Sequence, residues 1–185
     1  MKHSDIKINI PTALTILRMV LAVIFMMFVM VPESWAKAVA LAMFILAAST
    51  DKLDGHLARE TKTVTELGAF LDPIADKMLV NLAFLALVVL GAVPVWVFAV
   101  VLVRDLAVDG LRMTMAEKHK VLSASVLGKF KTTFQMVALG VLLFSLIVDF
   151  APVVVIGNIL LYIALILTVA SGIGYFYHSR KLFSK

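Results

Sequence analysis

Residues 49–77 read STDKLDGHLARETKTVTELGAFLDPIADK. An apolar run, AKAVALAMFILAA at 36–48, precedes them, and another, MLVNLAFLALVVLGAV at 78–93, follows. Asp51 and Asp54 are three residues apart, and Asp72 and Asp76 are four apart. Both spacings put side chains on one face of a helix. The stretch therefore reads as the end of one helix, a short connection and the start of an antiparallel neighbour, with two acidic faces opposed. Four carboxylates at close quarters repel and do not all stay ionised without compensation. Near a bilayer core each charge also costs at least about 2.5–3.5 kcal/mol on insertion scales. Divalent cations supply the compensation, and carboxylate oxygens favour hard ions such as Mg²⁺ or Mn²⁺. Four carboxylates suit two ions better than one. A proton or ion pathway is the alternative use of such a cluster.

The rest of the chain places this stretch in a membrane. Of 185 residues, 62% are hydrophobic, and the mean hydropathy is +1.04. A water-soluble fold of this size cannot bury so much apolar surface, so the class is an all-α polytopic membrane protein. Six spans are expected, near Ile10–Val31, Trp35–Arg59, Gly68–Leu90, Val93–Ala116, Val121–Val148 and Pro152–Tyr177. Pro11, Pro32, Pro73, Pro94 and Pro152 all fall near span starts or ends, where proline is tolerated. No linker or repeat interrupts the chain, and residues 1–185 read as a single membrane domain. Ser34-Trp35-Ala36 loosely resembles a signal-peptide cleavage site, but Arg18 and the nearby threonines fit a retained first helix better. There are no cysteines, so disulfides are excluded.

Lysine and arginine set the orientation. Six spans put both termini on one side, together with Arg59–Lys62, Glu117–Lys131 and the tail HSRKLFSK, while the other side keeps only Lys37. This bias predicts cytoplasmic termini and a cytoplasmic acidic cluster, in a cell or plasma membrane. The net charge of +5 then reports orientation and contact with anionic lipids, with no nucleic acid implied.

Around the aspartates, Gly55, Ala58 and Gly68 leave space beside the acidic faces, Arg59 can reach a phosphate, and Thr65 adds a hydroxyl. Small residues in membrane helices also serve plain packing. The full pattern is Asp51-x2-Asp54-Gly55-x2-Ala58-Arg59-x8-Gly68-x3-Asp72-x3-Asp76. It resembles the CDP-alcohol phosphotransferase signature at every fixed position. The resemblance implies a six-helix membrane fold, usually homodimeric, with two Mg²⁺ or Mn²⁺ ions at a cytoplasmic active site. It further implies that Asp51, Asp54 and Asp72 hold metal, that Asp76 contacts metal and acts as the catalytic base, and that positions including Gly55, Arg59 and Thr65 contact the CDP-linked donor, with Ala58 and Gly68 beside them.

Two further stretches resemble the bacterial phosphatidylglycerophosphate synthases within that family. The first is the opening NIPTALTILR, with Thr15 and Arg18 one turn apart. The second covers Arg104, Gly110-Leu111-Arg112 and Ser125-x2-Gly128-Lys129-x-Lys131-Thr132-x2-Gln135-Met136. Asp105 departs from the glutamate that many of these synthases carry, which leaves its role, expected to be structural, open. The resemblance implies CDP-diacylglycerol and glycerol 3-phosphate as substrates. Arg18, Arg104, Arg112, Lys129 and Lys131 are the candidate ligands of the acceptor phosphate. Blander readings stand beside this one. Arg18 can snorkel to lipid phosphates, Arg112 can pair with Asp109, and Lys129 and Lys131 fit the positive-inside pattern. Phosphatidylglycerol, an inositol phosphate or serine are alternative acceptors. A non-enzymatic transporter is the alternative class, though it would more naturally bury its acids at mid-membrane between repeats.

Overall fold

The computed structural model of the chain describes residues 10–61, 66–117, 126–148 and 150–183. All described regular structure is helical: α1 Ile10–Val29, α2 Ser34–Thr61, α3 Glu66–Val89, α4 Val95–Glu117, α5 Val126–Ser145 and α6 Ala151–Phe183. Three of them contain stretches long and apolar enough to cross a bilayer: Thr12–Val29, Leu127–Ser145 and Ala151–Arg180. A shorter apolar stretch, Ser34–Thr50, lies in α2. Large apolar side chains such as Leu17, Met27, Val103, Ile166 and Ile173 stand exposed on the outer faces. Helices this apolar all round need hydrocarbon as their solvent.

The chain packs as two compact units, residues 1–86 and 87–185, with the boundary inside α3. In the first, α1 and α2 pack together, joined by a tight turn in which the Val31 amide bonds the Phe28 carbonyl at 3.1 Å. Ala22, Phe25 and Val29 of α1 are buried, as are Ala36, Ala40, Phe44 and Ala47 of α2. The alanine stripe on α2 lets the helices approach closely. The rings of Phe25 and Phe44 meet with centroids 6.0 Å apart.

Helix α3 ends in a Schellman cap. Gly91 takes φ 73°, the Gly91 amide bonds Val88 O at 3.0 Å, and the Ala92 amide bonds Leu87 O at 2.8 Å. Glycine adopts that left-handed conformation without a Cβ penalty, and Pro94 prevents the helix from resuming.

In the second unit, α6 packs against both α5 and α4. Leu139, Leu142 and Leu143 of α5 and Leu161, Ala164 and Leu165 of α6 form its buried seam. Gly157 sets the closeness of that seam, because a Cβ there would lie 2.9 Å from Leu142 Cγ and 2.7 Å from its Cδ2. Lipid tails are as apolar as leucine, so packing of this kind carries helix association in a bilayer. Gly157→Val is therefore expected to destabilise the protein by about 1–3 kcal/mol through overpacking. Thermal unfolding in detergent should show the loss, and Leu142→Ala in the same chain should restore part of it.

One expectation is sharpened and one corrected. Pro73 is near the start of α3 but inside the helix, two turns after Glu66. Helix α3 starts at Glu66, two residues before the expected Gly68. The ring removes the backbone donor that would have served the residue 69 carbonyl. Likewise α6 does not stop at Tyr177 but continues to Phe183. The Ser179 hydroxyl bonds back to the Tyr175 carbonyl, and the helix carries its basic tail beyond the apolar span.

Candidate active site

Helix α2 is continuous through Asp51, Asp54, Gly55, Ala58 and Arg59, and α3 through Gly68, Asp72 and Asp76. At 100° per residue, Asp51 and Asp54 fall about 60° apart around α2, and Asp72 and Asp76 about 40° apart around α3. Each pair thus shares a face. The side chains of Asp51, Asp54, Ala58, Arg59 and Asp72, the surroundings of Gly55, and the whole of Thr65 lie outside the described residues. So does the opposition of the two acidic faces. Gly68 is buried and Asp76 is exposed. The donor set fits hard divalent ions: the helical register repeats oxygen ligands on one face of each helix, and all four are carboxylates. Among the described residues, which include the side chain of Asp76 but not those of the other three aspartates, no three metal-ligating side chains gather.

Arg18 lies on the buried face of α1 with Thr12, Thr15, Ala22 and Phe25, and only 2% of its surface is exposed. This position does not suit a side chain snorkelling outward to lipid. Burial of a guanidinium is costly unless it is paired or hydrogen-bonded, so this residue is held inward for structure or for a ligand.

The second unit gathers most of the remaining candidates. Arg104 of α4 donates from Nε to the Thr168 carbonyl at 3.0 Å, from Nη2 to Ser171 Oγ at 2.6 Å, and from Nη1 to Asp105 Oδ1 at 2.9 Å. Lys131 of α5 is 6% exposed, and its Nζ lies 2.7 Å from both carboxylate oxygens of Asp105. Asp105 is thus the tie between α4 and α5, with Arg104 fastening α4 to α6. Gly172 makes the last contact possible, since a Cβ there would come within 3.0 Å of Arg104 Cγ. One carboxylate facing two cations leaves this trio with a net single positive charge.

Removing one member of such a partly buried group strands the others. Asp105→Ala is expected to destabilise the protein by about 3–5 kcal/mol, because two cations would remain without their anion. The measurement is chemical or thermal unfolding in detergent, in which Asp105→Glu should retain most of the stability.

Arg112 stands one α4 face farther along. Its side chain is exposed, yet it is oriented: Nη2 donates to Tyr175 Oη at 2.8 Å, and its guanidinium carbon lies 5.1 Å from the Tyr175 ring centroid. Arg104 approaches the same ring at 5.9 Å. Tyr175 packs with Val108, Leu111 and Met115, so a rigid aromatic ring positions a forked donor whose other N–H groups suit an oxyanion. Lys129 is exposed on α5. Nothing in the sequence pairs Tyr175 with Arg112. The two are 63 positions apart, and no local pattern links them.

The model for the CDP-alcohol phosphatidyltransferase family matches residues 8–170. The chain belongs to the CDP-alcohol phosphatidyltransferase family. The matched range holds the whole aspartate pattern and reaches across both compact units. Among curated members of this family, a Bacillus subtilis CDP-diacylglycerol–glycerol-3-phosphate 3-phosphatidyltransferase is 36% identical over 180 residues, covering 91% of this chain and 93% of its own. The enzyme of the same name from Wigglesworthia glossinidia brevipalpis is 37% identical over 183 residues, covering 96% and 98%. A Mycobacterium tuberculosis protein described as a probable phosphatidylglycerophosphate synthase is 39% identical, covering 90% of this chain and 79% of its own.

Proposed function

We propose that this membrane enzyme transfers the phosphatidyl group of CDP-diacylglycerol to glycerol 3-phosphate, giving phosphatidylglycerophosphate and CMP. The observation that carries the reading is the end-to-end similarity to two phosphatidyltransferases that bear this activity in their names, at 36% and 37% identity, with the eight-position signature intact.

In this reading the carboxylates of Asp51, Asp54, Asp72 and Asp76 hold two Mg²⁺ or Mn²⁺ ions. Bound there, such ions supply Lewis-acid polarisation of the donor diphosphate and balance the charge on departing CMP. Gly55, Ala58, Arg59, Thr65 and Gly68 accommodate the CDP-linked donor. Asp76 takes the proton from the primary hydroxyl of glycerol 3-phosphate. That oxygen attacks the phosphorus bound to diacylglycerol, a new P–O bond forms, and the bond to CMP breaks. Arg112 and Lys129 hold the acceptor phosphate. Arg104, Lys131 and Arg18 act from more buried positions. Arg104 and Lys131 add positive potential while Asp105 fixes them, so the charge is organised before the substrate arrives. The enzyme works as a homodimer with six spans and both termini in the cytoplasm.

Topology has its own test. Single cysteines at Glu33 and Asp149 should react with an impermeant maleimide from outside intact cells, and ones at Thr63 and Ser184 only after permeabilisation. The reverse pattern would place the site on the wrong side for cytoplasmic glycerol 3-phosphate. The activity is tested by CMP release from CDP-diacylglycerol with a panel of acceptors. Glycerol 3-phosphate should support turnover, whereas phosphatidylglycerol, inositol phosphate and serine should not. Turnover with one of those three instead would keep the chemistry and replace the acceptor.

A further inference from the structure

From Leu82 to Val103 the sequence reads LAFLALVVLGAVPVWVFAVVLV, with no charged side chain and no polar one except the Trp96 indole. The turn between α3 and α4 lies in the middle of this run. In a six-span chain two other connections share its side of the membrane, and both carry charge: Glu33 and Lys37 at the first, Asp149 at the last. The α3–α4 turn has none, yet Val89, Val95 and Trp96 are 61%, 66% and 54% exposed. Apolar side chains grouped and exposed in this way mark a contact with something apolar.

Helix register within the second unit gives the depth of the turn. Trp96 of α4 meets Tyr162 of α6 with ring centroids 6.2 Å apart, Arg104 donates to Thr168 and Ser171, and Arg112 donates to Tyr175. The two helices run parallel at an offset of 63–67 residues, which sets Val95, the first residue of α4, level with Leu160. Helix α6 begins earlier, at Ala151, about 13 Å farther out at 1.5 Å per residue. Helix α5 is antiparallel to α6 with Leu142 against Gly157, so its last residue, Ser145, is level with Val154 and about 9 Å beyond Val95. The turn does not regain this height, because the Val93 amide folds back onto the Leu87 carbonyl at 3.2 Å. It is recessed behind the α5–α6 hairpin. A turn below the membrane surface has to satisfy its own backbone. Here the Gly91 amide donates to the Val88 carbonyl, the Ala92 and Val93 amides both donate to that of Leu87, and Pro94 has no amide to satisfy.

We propose that the α3–α4 turn lies inside the hydrocarbon of the far leaflet, covered by lipid acyl chains, while the other two connections on that side reach water. The proposal rests on the six-span reading given above and not on the reaction, so it stands or falls apart from the turnover assay. The recess also sets the depth of Arg112. From Val95 to Arg112 is 17 residues, about 26 Å along α4, and the hydrocarbon is about 30 Å thick. A turn at the far edge would leave Arg112 about 4 Å inside the hydrocarbon. A turn about 9 Å within it carries Arg112 past the near edge. There its exposed guanidinium meets water and the soluble phosphate ester it is proposed to hold.

The chain's two tryptophans are the probes. Trp96 stands at the start of α4, and Trp35 at the start of α2 beside Glu33. Trp35→Phe and Trp96→Phe each leave a single indole and keep an aromatic ring against Phe28 or Tyr162. The full-length variants are placed in phosphatidylcholine–phosphatidylglycerol vesicles, with iodide on both faces so that orientation does not matter. The iodide quenching constant of Trp96 should be about tenfold below that of Trp35, because hydrocarbon excludes the ion. Lipids brominated at mid-chain should quench Trp96 more strongly than Trp35. Equal quenching of the two indoles by iodide would overturn the proposal. A cysteine scan reads the same depth without tryptophan, since the chain has no cysteine of its own. Leu90→Cys should react with an impermeant maleimide about tenfold more slowly than Asp149→Cys, because a thiolate is disfavoured in apolar surroundings. It should react fully after denaturation in sodium dodecyl sulfate. Equal rates before denaturation would overturn the proposal. Shielding of Trp96 from both iodide and brominated lipid, with disulfide-linked dimers of Leu90→Cys, would mean that a second copy covers the turn, and the assignment to lipid would fall. Labelling of Glu33→Cys and Asp149→Cys from opposite faces would defeat the six-span reading and the proposal together.

Discussion

Asp51→Asn and Asp72→Asn are each expected to abolish CMP release, with a loss on the order of 10³-fold or more. A bound divalent ion contributes several kcal/mol of charge stabilisation, and each 1.36 kcal/mol is a factor of ten in rate. Asparagine keeps the shape of aspartate and removes one anionic ligand. The effect on stability should have the opposite sign without metal. Four carboxylates repel one another in the empty site, so each variant should melt at the same temperature as the wild type or slightly higher in the presence of chelator. The wild type should gain stability on addition of Mn²⁺, and the variants should gain much less. Electron paramagnetic resonance of free Mn²⁺ measures the binding directly. Full activity of the wild type in excess chelator would contradict the assignment.

Arg112→Ala and Lys129→Ala carry the second large effect. Loss of one charge-assisted contact of about 1.5–3 kcal/mol corresponds to a roughly 10- to 150-fold drop in kcat/KM. The drop should appear in KM for glycerol 3-phosphate, with KM for CDP-diacylglycerol much less changed. Arg112→Lys should rescue only in part, because an ammonium cannot present a fork to phosphate while also bonding a tyrosine hydroxyl. Tyr175 sharpens the expectation: its hydroxyl accepts from Arg112 Nη2 and its ring lies under the guanidinium, so the fork is oriented before substrate binds. Equal loss toward both substrates would point to damaged structure, and unimpaired use of glycerol 3-phosphate by both alanine variants would remove these residues from the acceptor site.

The helical architecture was legible because its signals are local. Apolar runs, basic connections and prolines near turns located all six helices, and the described ends differ mainly where the helix outlasts its apolar run, as at Glu66 and Phe183. The family was legible for the same reason, since its signature occupies residues 51–76. What stayed hidden was partnership. Arg104, Arg112 and Lys131 read alike as basic residues near one face of the membrane. In the structure Lys131 closes on Asp105, Arg104 is shared among Asp105, Ser171 and Thr168, and Arg112 leans on Tyr175. These ties cross up to 67 positions, and residue type alone does not state them. Asp105 is the clearest case. Its shorter side chain left its role open in the sequence, and the 2.7 Å contacts from both of its oxygens to Lys131 supply a structural one.

The most direct measurement of the central claim is the identity of the lipid product. Purified protein in detergent micelles should convert CDP-diacylglycerol and carbon-13-labelled glycerol 3-phosphate into labelled phosphatidylglycerophosphate, seen by mass spectrometry, with one CMP per product and only when Mg²⁺ or Mn²⁺ is present. Labelled lipid that forms equally well in excess chelator, or no labelled lipid while another alcohol is consumed, would contradict the account.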